Sequence, residues 1–182
     1  MLLCVSSVFS QTGASAQGKA SFQPQDVEFP AVEGWRLGPK SAIPMEQSGI
    51  IVNYDSPDRE RMTVYVYSRG KTDIPNELSG IIKDEFEGAK NALRTVAEAG
   101  IYSNLKIVKS ETATVGGATG KVKALRAVLS FEAGGNKLNS ELFVFPYKGH
   151  VVKLRISRPA ALAMDAESYT RLLSALDNLF SR

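Results

Sequence analysis

"KVKALRAVLSFEAGGNKLNSELFVFPYKGHVVKLRIS", residues 121–157, decides how this chain folds. It holds three runs dense in β-branched and aromatic residues, the side chains that fit a pleated surface. Gly134-Gly135-Asn136 and Lys148-Gly149-His150 separate them. Connections this short and glycine-bearing join antiparallel neighbours, so the three runs form a meander. Alternation along them says more. Leu142 and Val144 take one side of their strand, while Phe143 and Phe145 take the other. A sheet wet on one side alternates apolar with polar residues. Here both sides are apolar, which predicts a sheet covered on both faces.

Upstream, "NLKIVK" (104–109) reads as a further strand of the same sheet. Before it, "ELSGIIKDEFEGAKNALRTVAEAG" (77–100) reads as the main helix. Leu78, Ile82, Phe86, Ala89, Leu93, Val96 and Ala97 recur at spacings of three and four, and charged residues fill the opposite side. Asn76 is the expected N-cap, and Gly100 stands where a helix end needs positive φ. Earlier still, "GIIVNY" and "MTVYVY" flank the turn-forming "DSPDRER", predicting a hairpin. Trp35 and Leu37 begin the sheet. At the other end "DAESYTRLLSALDNLF" reads as a closing helix capped by Asp165, with Tyr169, Leu172, Leu173, Leu176 and Phe180 as its buried stripe. The expected fold class is α+β: a mainly antiparallel sheet of about six to seven strands with a helix on each face, an α/β/α sandwich.

The chain opens with "MLLCVSSVFSQTGASA". Its apolar run is far too short for a membrane-spanning helix, which needs roughly 20 residues. Small residues follow and end in Ala14-Ser15-Ala16, the pattern a signal peptidase accepts. Residues 1–16 are therefore expected to be a signal peptide cleaved after Ala16, although no Lys or Arg supplies the usual basic region before the apolar run. Residues 17–33, rich in Gln, Pro and Gly, read as an extended lead-in, and residues 34–182 as a single α/β domain. Cys4 is the sole cysteine. The cleaved chain would hold no disulfide, no thiolate nucleophile and no Cys-ligated metal. A periplasmic or secreted location follows.

The entry segment "EGWRLGP" (33–39), the hairpin "GIIVNYDSPDRERMTVYVY", the helix from Leu78 to Ala99, and the meander ending "ELFVFPYKGHVVKLRIS" together resemble the PsbP-like fold. That fold is shared by the photosystem II extrinsic protein PsbP, the Ran-binding Mog proteins and small bacterial envelope proteins. The resemblance spans nearly all of the chain after the leader and rests on element order. It implies a non-catalytic accessory or binding domain and assigns no site residue.

Composition bounds the chemistry. A hydrophobic share of 43% with 23% charged residues is that of a globular protein. A net charge of +3 falls short of a nucleic-acid footprint, so no nucleic-acid partner is expected. His150 is the only histidine. It reads as a solvated turn residue, with general base of a hydrolase as the competing role. No G-x-S-x-G elbow accompanies it, and one histidine is too few for a zinc site. "GGATGK" (116–121) lacks the spacing of a phosphate-binding loop and leads into a strand, so it reads as a turn. No cofactor is expected.

Two surface features remain. Lys153 and Arg155 share one strand face and, with Lys121 and Lys123 of the meander, outline a basic patch for an anionic partner. Cations that merely guard a sheet edge are the plainer account. Tyr65, Tyr67, Phe143 and Phe145 are expected to line one side of the sheet, either as core beneath a helix or as an aromatic groove. The sequence thus points to an exported non-catalytic binding or accessory protein of the bacterial envelope, meeting an unknown protein or an anionic membrane surface. A hydrolase using His150 and a carrier of a small apolar ligand are the alternatives.

Overall fold

A computed structural model describes residues 24–43, 49–71, 74–115, 122–162, 170, 171 and 174–176. The leader, Lys121, Asp165, Tyr169, Leu172, Leu173 and Phe180 lie outside them. The described chain runs β1 (Arg36–Leu37), β2 (Ser41–Ala42), β3 (Gly49–Asp55), β4 (Arg61–Tyr67), α1 (Gly80–Glu98), β5 (Ser103–Val115), β6 (Val122–Ala133), β7 (Asn136–Tyr147) and β8 (His150–Pro159). All strands join one eight-stranded sheet in the order β1-β3-β4-β8-β7-β6-β5, with β2 also paired to β3. Every pairing is antiparallel.

Local chemistry sets the turns. Gly134 and Gly135 hold φ of 54° and 78°, so Ala133 pairs directly with Asn136. Lys148 and Gly149 do the same at 44° and 76°, pairing Tyr147 with His150. Positive φ at both central residues matches the twist of the flanking strands. The helix starts later than its sequence suggests. Ser79, not Asn76, is the N-cap, and its side chain makes no capping bond. At the far end Gly100 takes a φ of 76°, and the amide of Ile101 turns back to the Val96 carbonyl at 3.2 Å.

The two faces of the sheet are covered differently, and this corrects the expected sandwich. Among the described residues there is one long helix, α1, and it lies on one face only. Ile82, Phe86 and Leu93 of α1 meet Ala127, Leu129, Leu142 and Val144 there. The opposite face carries Val52, Tyr54, Met62, Val64, Val152 and Leu154, all fully buried. Among the described residues, what closes it is the irregular lead-in together with the helical stretch 174–176. Val27, Val32 and Trp35 of the lead-in are buried in the same cluster, which also takes in Leu176. Tyr54 donates its phenol hydrogen to the Pro30 carbonyl at 2.9 Å, and the Lys40 ammonium bonds the Val27 carbonyl at 3.2 Å. The folded body therefore begins upstream of residue 34.

Geometry explains why one helix leaves strands bare. Six strand spacings of about 4.8 Å make this sheet about 29 Å wide, whereas a helix with its side chains is about 10–12 Å across. Set against β5 and β7, α1 meets β4 and β8 only at their near ends, through Tyr67 and Val151, and leaves the rest of those strands uncovered on this face. No helix among the described residues is long and apolar enough to cross a membrane.

Candidate functional site

The strip beside α1 is where side-chain chemistry changes. On the far face, Met62, Val64, Leu154 and Ile156 are no more than 2% exposed. On the near face the same strands present Arg61, Thr63, Tyr65, Lys153, Arg155 and Ser157, all exposed or half-buried. The register places Thr63 opposite Arg155 and Tyr65 opposite Lys153. Beyond them, Phe131 of β6 stacks with Tyr102, their ring centroids 4.4 Å apart. The turn at Gly100 brings Tyr102 back over the sheet. Together these groups enclose a cleft of about 240 Å³, its floor formed by Arg61, Thr63, Tyr65, Arg155 and Ser157, with Tyr102 and Phe131 along one side.

Arg155 dominates the cleft. Its guanidinium carbon lies 5.4 Å from the Tyr102 ring centre and 5.3 Å from that of Phe131. It donates to the Tyr102 hydroxyl at 3.1 Å and to Ser140 Oγ at 3.4 Å. Ser140 Oγ is held in turn by the Ile156 carbonyl at 2.8 Å. These contacts fix the fork while engaging only some of a guanidinium's five donors. Among the described residues no carboxylate lies within ion-pair distance of Arg155. Its neighbours are paired: Arg61 binds Asp55 at 2.6 Å, and Arg36 binds the same carboxylate at 3.2 Å. The two guanidinium groups hold the Asp55 carboxyl below its usual range, Arg61 contributing most.

Lys153 sits one step along the strand. Its ammonium lies 4.2 Å from the Tyr65 ring centre and 5.7 Å from that of Tyr67. Burial lowers its affinity for a proton; Glu85 opposes that shift, and Arg69 and Arg155 add to it. Burial likewise raises the Tyr65 phenol, against the pull of Arg155. Under α1, the buried Glu85 accepts from the Tyr67 hydroxyl at 2.8 Å and pairs with Arg69 at 2.8 Å. Burial, followed by the Glu85 charge, pushes the Tyr67 phenol far up.

The expected groups are therefore redistributed. Lys153 and Arg155 do share a face, and Tyr65 and Tyr67 share it with them. Phe143 and Phe145 do not: Phe143 stands opposite Leu154, which stands opposite Val64, so both rings belong to the far core. Lys123 is exposed on β6, with β7 between it and β8, and lies apart from the pair. His150 is buried, not solvated, and its Nδ1 bonds the Lys148 carbonyl of its own turn at 3.0 Å. Tyr102, Phe131, Thr63 and Ser157 carried no signal as site residues, because only the strand order assembles them. Compared with known proteins, the chain matches no protein-family model and no curated protein sequence.

Proposed function

We propose that this protein is an exported, non-catalytic binding module whose binding site is the Arg155 cleft, and that the cleft takes an anionic group carried on an apolar or aromatic body. The observation behind this reading is Arg155 itself: oriented by Tyr102 and Ser140, backed by two rings, and without an acidic partner among the described residues. A guanidinium in that state offers a carboxylate or phosphate two parallel hydrogen bonds. The Tyr65, Tyr102 and Phe131 rings give the rest of the ligand an apolar seat. An accessory or binding role is also what the PsbP-like resemblance implies, and the leader ending at Ala16 supports export.

Titration with phenylacetate and phenyl phosphate, followed by amide NMR, tests the site. Shifts are expected along β4 and β8 and around Tyr102 and Phe131. Arg155→Met should weaken binding by more than about tenfold, or about 1.4 kcal/mol. Shifts that persist unchanged in Arg155→Met would overturn the reading.

A further inference from the structure

The hydrogens around the cleft can be assigned donor by donor. Arg155 has only hydrogens to give, so the Tyr102 oxygen, 3.1 Å from its guanidinium, is the acceptor. The phenol hydrogen must then point elsewhere, and among the described residues it has no acceptor. Tyr65 is a second such group. It lines the same cleft, lies diagonal to Arg155 across the β4–β8 pair, and its hydroxyl makes no hydrogen bond among the described residues. The other two hydroxyls of the cleft are committed. Thr63 donates to Asn53 Oδ1 at 2.8 Å. Ser140 gives its hydrogen to the Ile156 carbonyl, so in the 2.9 Å contact between Ser140 and Ser157 it is Ser157 that donates. Arg155 has committed two of its five N–H bonds, to Ser140 and Tyr102, and the rest are available. Among the described residues no carboxylate lines the cleft, and both of its charged residues are arginines.

A carboxylate has two oxygens, and the Arg155 fork alone can occupy both. A phosphate or phosphonate group has three, set tetrahedrally, and its third oxygen calls for a further donor. Resting on the anion-cleft reading above, we propose that the cleft prefers a tetrahedral oxyanion, a phosphate monoester or phosphonate on an aromatic body, with Arg155 on two of its oxygens and the Tyr102 and Tyr65 hydroxyls on the third. Neither phenol gives up an existing bond to do this, because Tyr102 goes on accepting from Arg155 while it donates to the ligand. Burial holds the Tyr65 phenol in its protonated form against the pull of Arg155, so it remains a donor at neutral pH.

Three probes with one benzyl body separate oxygen count from charge: phenylacetate, phenylmethanesulfonate and benzylphosphonate. Phenylmethanesulfonate carries the single charge of phenylacetate on three oxygens. Amide NMR titration of the full chain should place benzylphosphonate about tenfold tighter than phenylacetate, the effect of one hydrogen bond to a charged group at a half-open site. Phenylmethanesulfonate should also bind tighter than phenylacetate. Tyr65→Phe keeps the ring and removes only the hydroxyl. It should weaken benzylphosphonate about fivefold and leave phenylacetate within about twofold. Tyr102→Phe should weaken all three probes, because it also frees Arg155, and should weaken benzylphosphonate most. A sulfonate no tighter than the carboxylate assigns any phosphonate preference to charge and overturns the proposal, as do equal losses for all probes in Tyr65→Phe. If the three probes bind alike and Arg155→Met abolishes them all, the tetrahedral preference fails and the anion cleft stands. If none of the three shifts the amides around Arg155, the cleft reading fails as well.

Discussion

Replacing Trp35 with alanine tests whether the lead-in is core or decoration. Trp35 is 7% exposed and lies in the far-face cluster with Val27, Val32 and the β3–β4 side chains. A buried aromatic side chain removes about 150–250 Å² from water, worth about 4–6 kcal/mol at 25 cal/mol per Å². Residual structure in the denatured state and the retained Cβ trim this, giving an expected loss of about 3–5 kcal/mol, the range seen for large aromatic truncations. With a urea slope of about 1–3 kcal/mol per molar, the midpoint should fall by more than about 1 M, with the slope unchanged. Circular dichroism of the sheet reads it. The wild-type chain supplies a second test, because Trp35 is its only tryptophan. Fluorescence should be protected from quenchers and should melt together with the sheet signal. A tryptophan transition at clearly lower urea, or a cost below about 1 kcal/mol, would mean that the lead-in does not close the far face, and the account of the fold would fail.

Two other perturbations probe different parts of the sheet. Arg126 bridges three strands, bonding Glu111 at 2.8 Å and the buried Glu141 at 2.7 Å. Arg126→Met should cost about 2–3 kcal/mol in urea unfolding, below the figure for a fully buried pair because 29% of the Arg126 side chain meets solvent. No loss would show that the ladder is ornamental. Alkaline pH should act through tyrosine. Burial raises the Tyr54 and Tyr67 phenols well above their ordinary 10.0. Above about pH 10 the unfolded chain loses phenolic protons that the folded chain keeps, so stability falls as pH rises. Lys153 has the opposite sign, because its lowered value makes stability rise with pH up to about 10.4, where the unfolded amine is neutralised. Urea midpoints across this range should show a shallow slope turning steeply downward, and Tyr54→Phe should flatten the downward limb.

Elements with a local signature could be read from the sequence. Gly134-Gly135 and Lys148-Gly149 announce their hairpins because positive φ is demanded residue by residue. The stripe Ile82, Phe86 and Leu93 announces α1 because period 3.6 is written into the helix itself. Features set by register could not be read this way. Tyr65 and Phe143 each sit in an alternating strand, but which side each takes depends on how β4, β8 and β7 align. A shift of one residue exchanges the faces, and the aromatic groove fell on that ambiguity. The lead-in was opaque for a different reason. Val27, Val32 and Trp35 follow no regular period, so a segment that is core by packing looks like linker by pattern. The burial of His150 likewise follows from the hairpin's placement in the sheet.

The cleft follows from the same mismatch of widths that undid the expected sandwich. One helix cannot span seven strands laid side by side, so part of the near face has to meet water with whatever residues alternate against the far core. On β4 that alternation sets Arg61, Thr63 and Tyr65 against Met62, Val64 and Val66; on β8 it sets Lys153 and Arg155 against Val152 and Leu154. Exposure alone would be satisfied by cations paired with a carboxylate, as Arg36 and Arg61 are with Asp55. Arg155 is instead oriented by a tyrosine hydroxyl and a serine, and it packs against the rings of Tyr102 and the buried Phe131. An oriented guanidinium with no carboxylate within ion-pair distance among the described residues is the feature the proposed anionic ligand would complete.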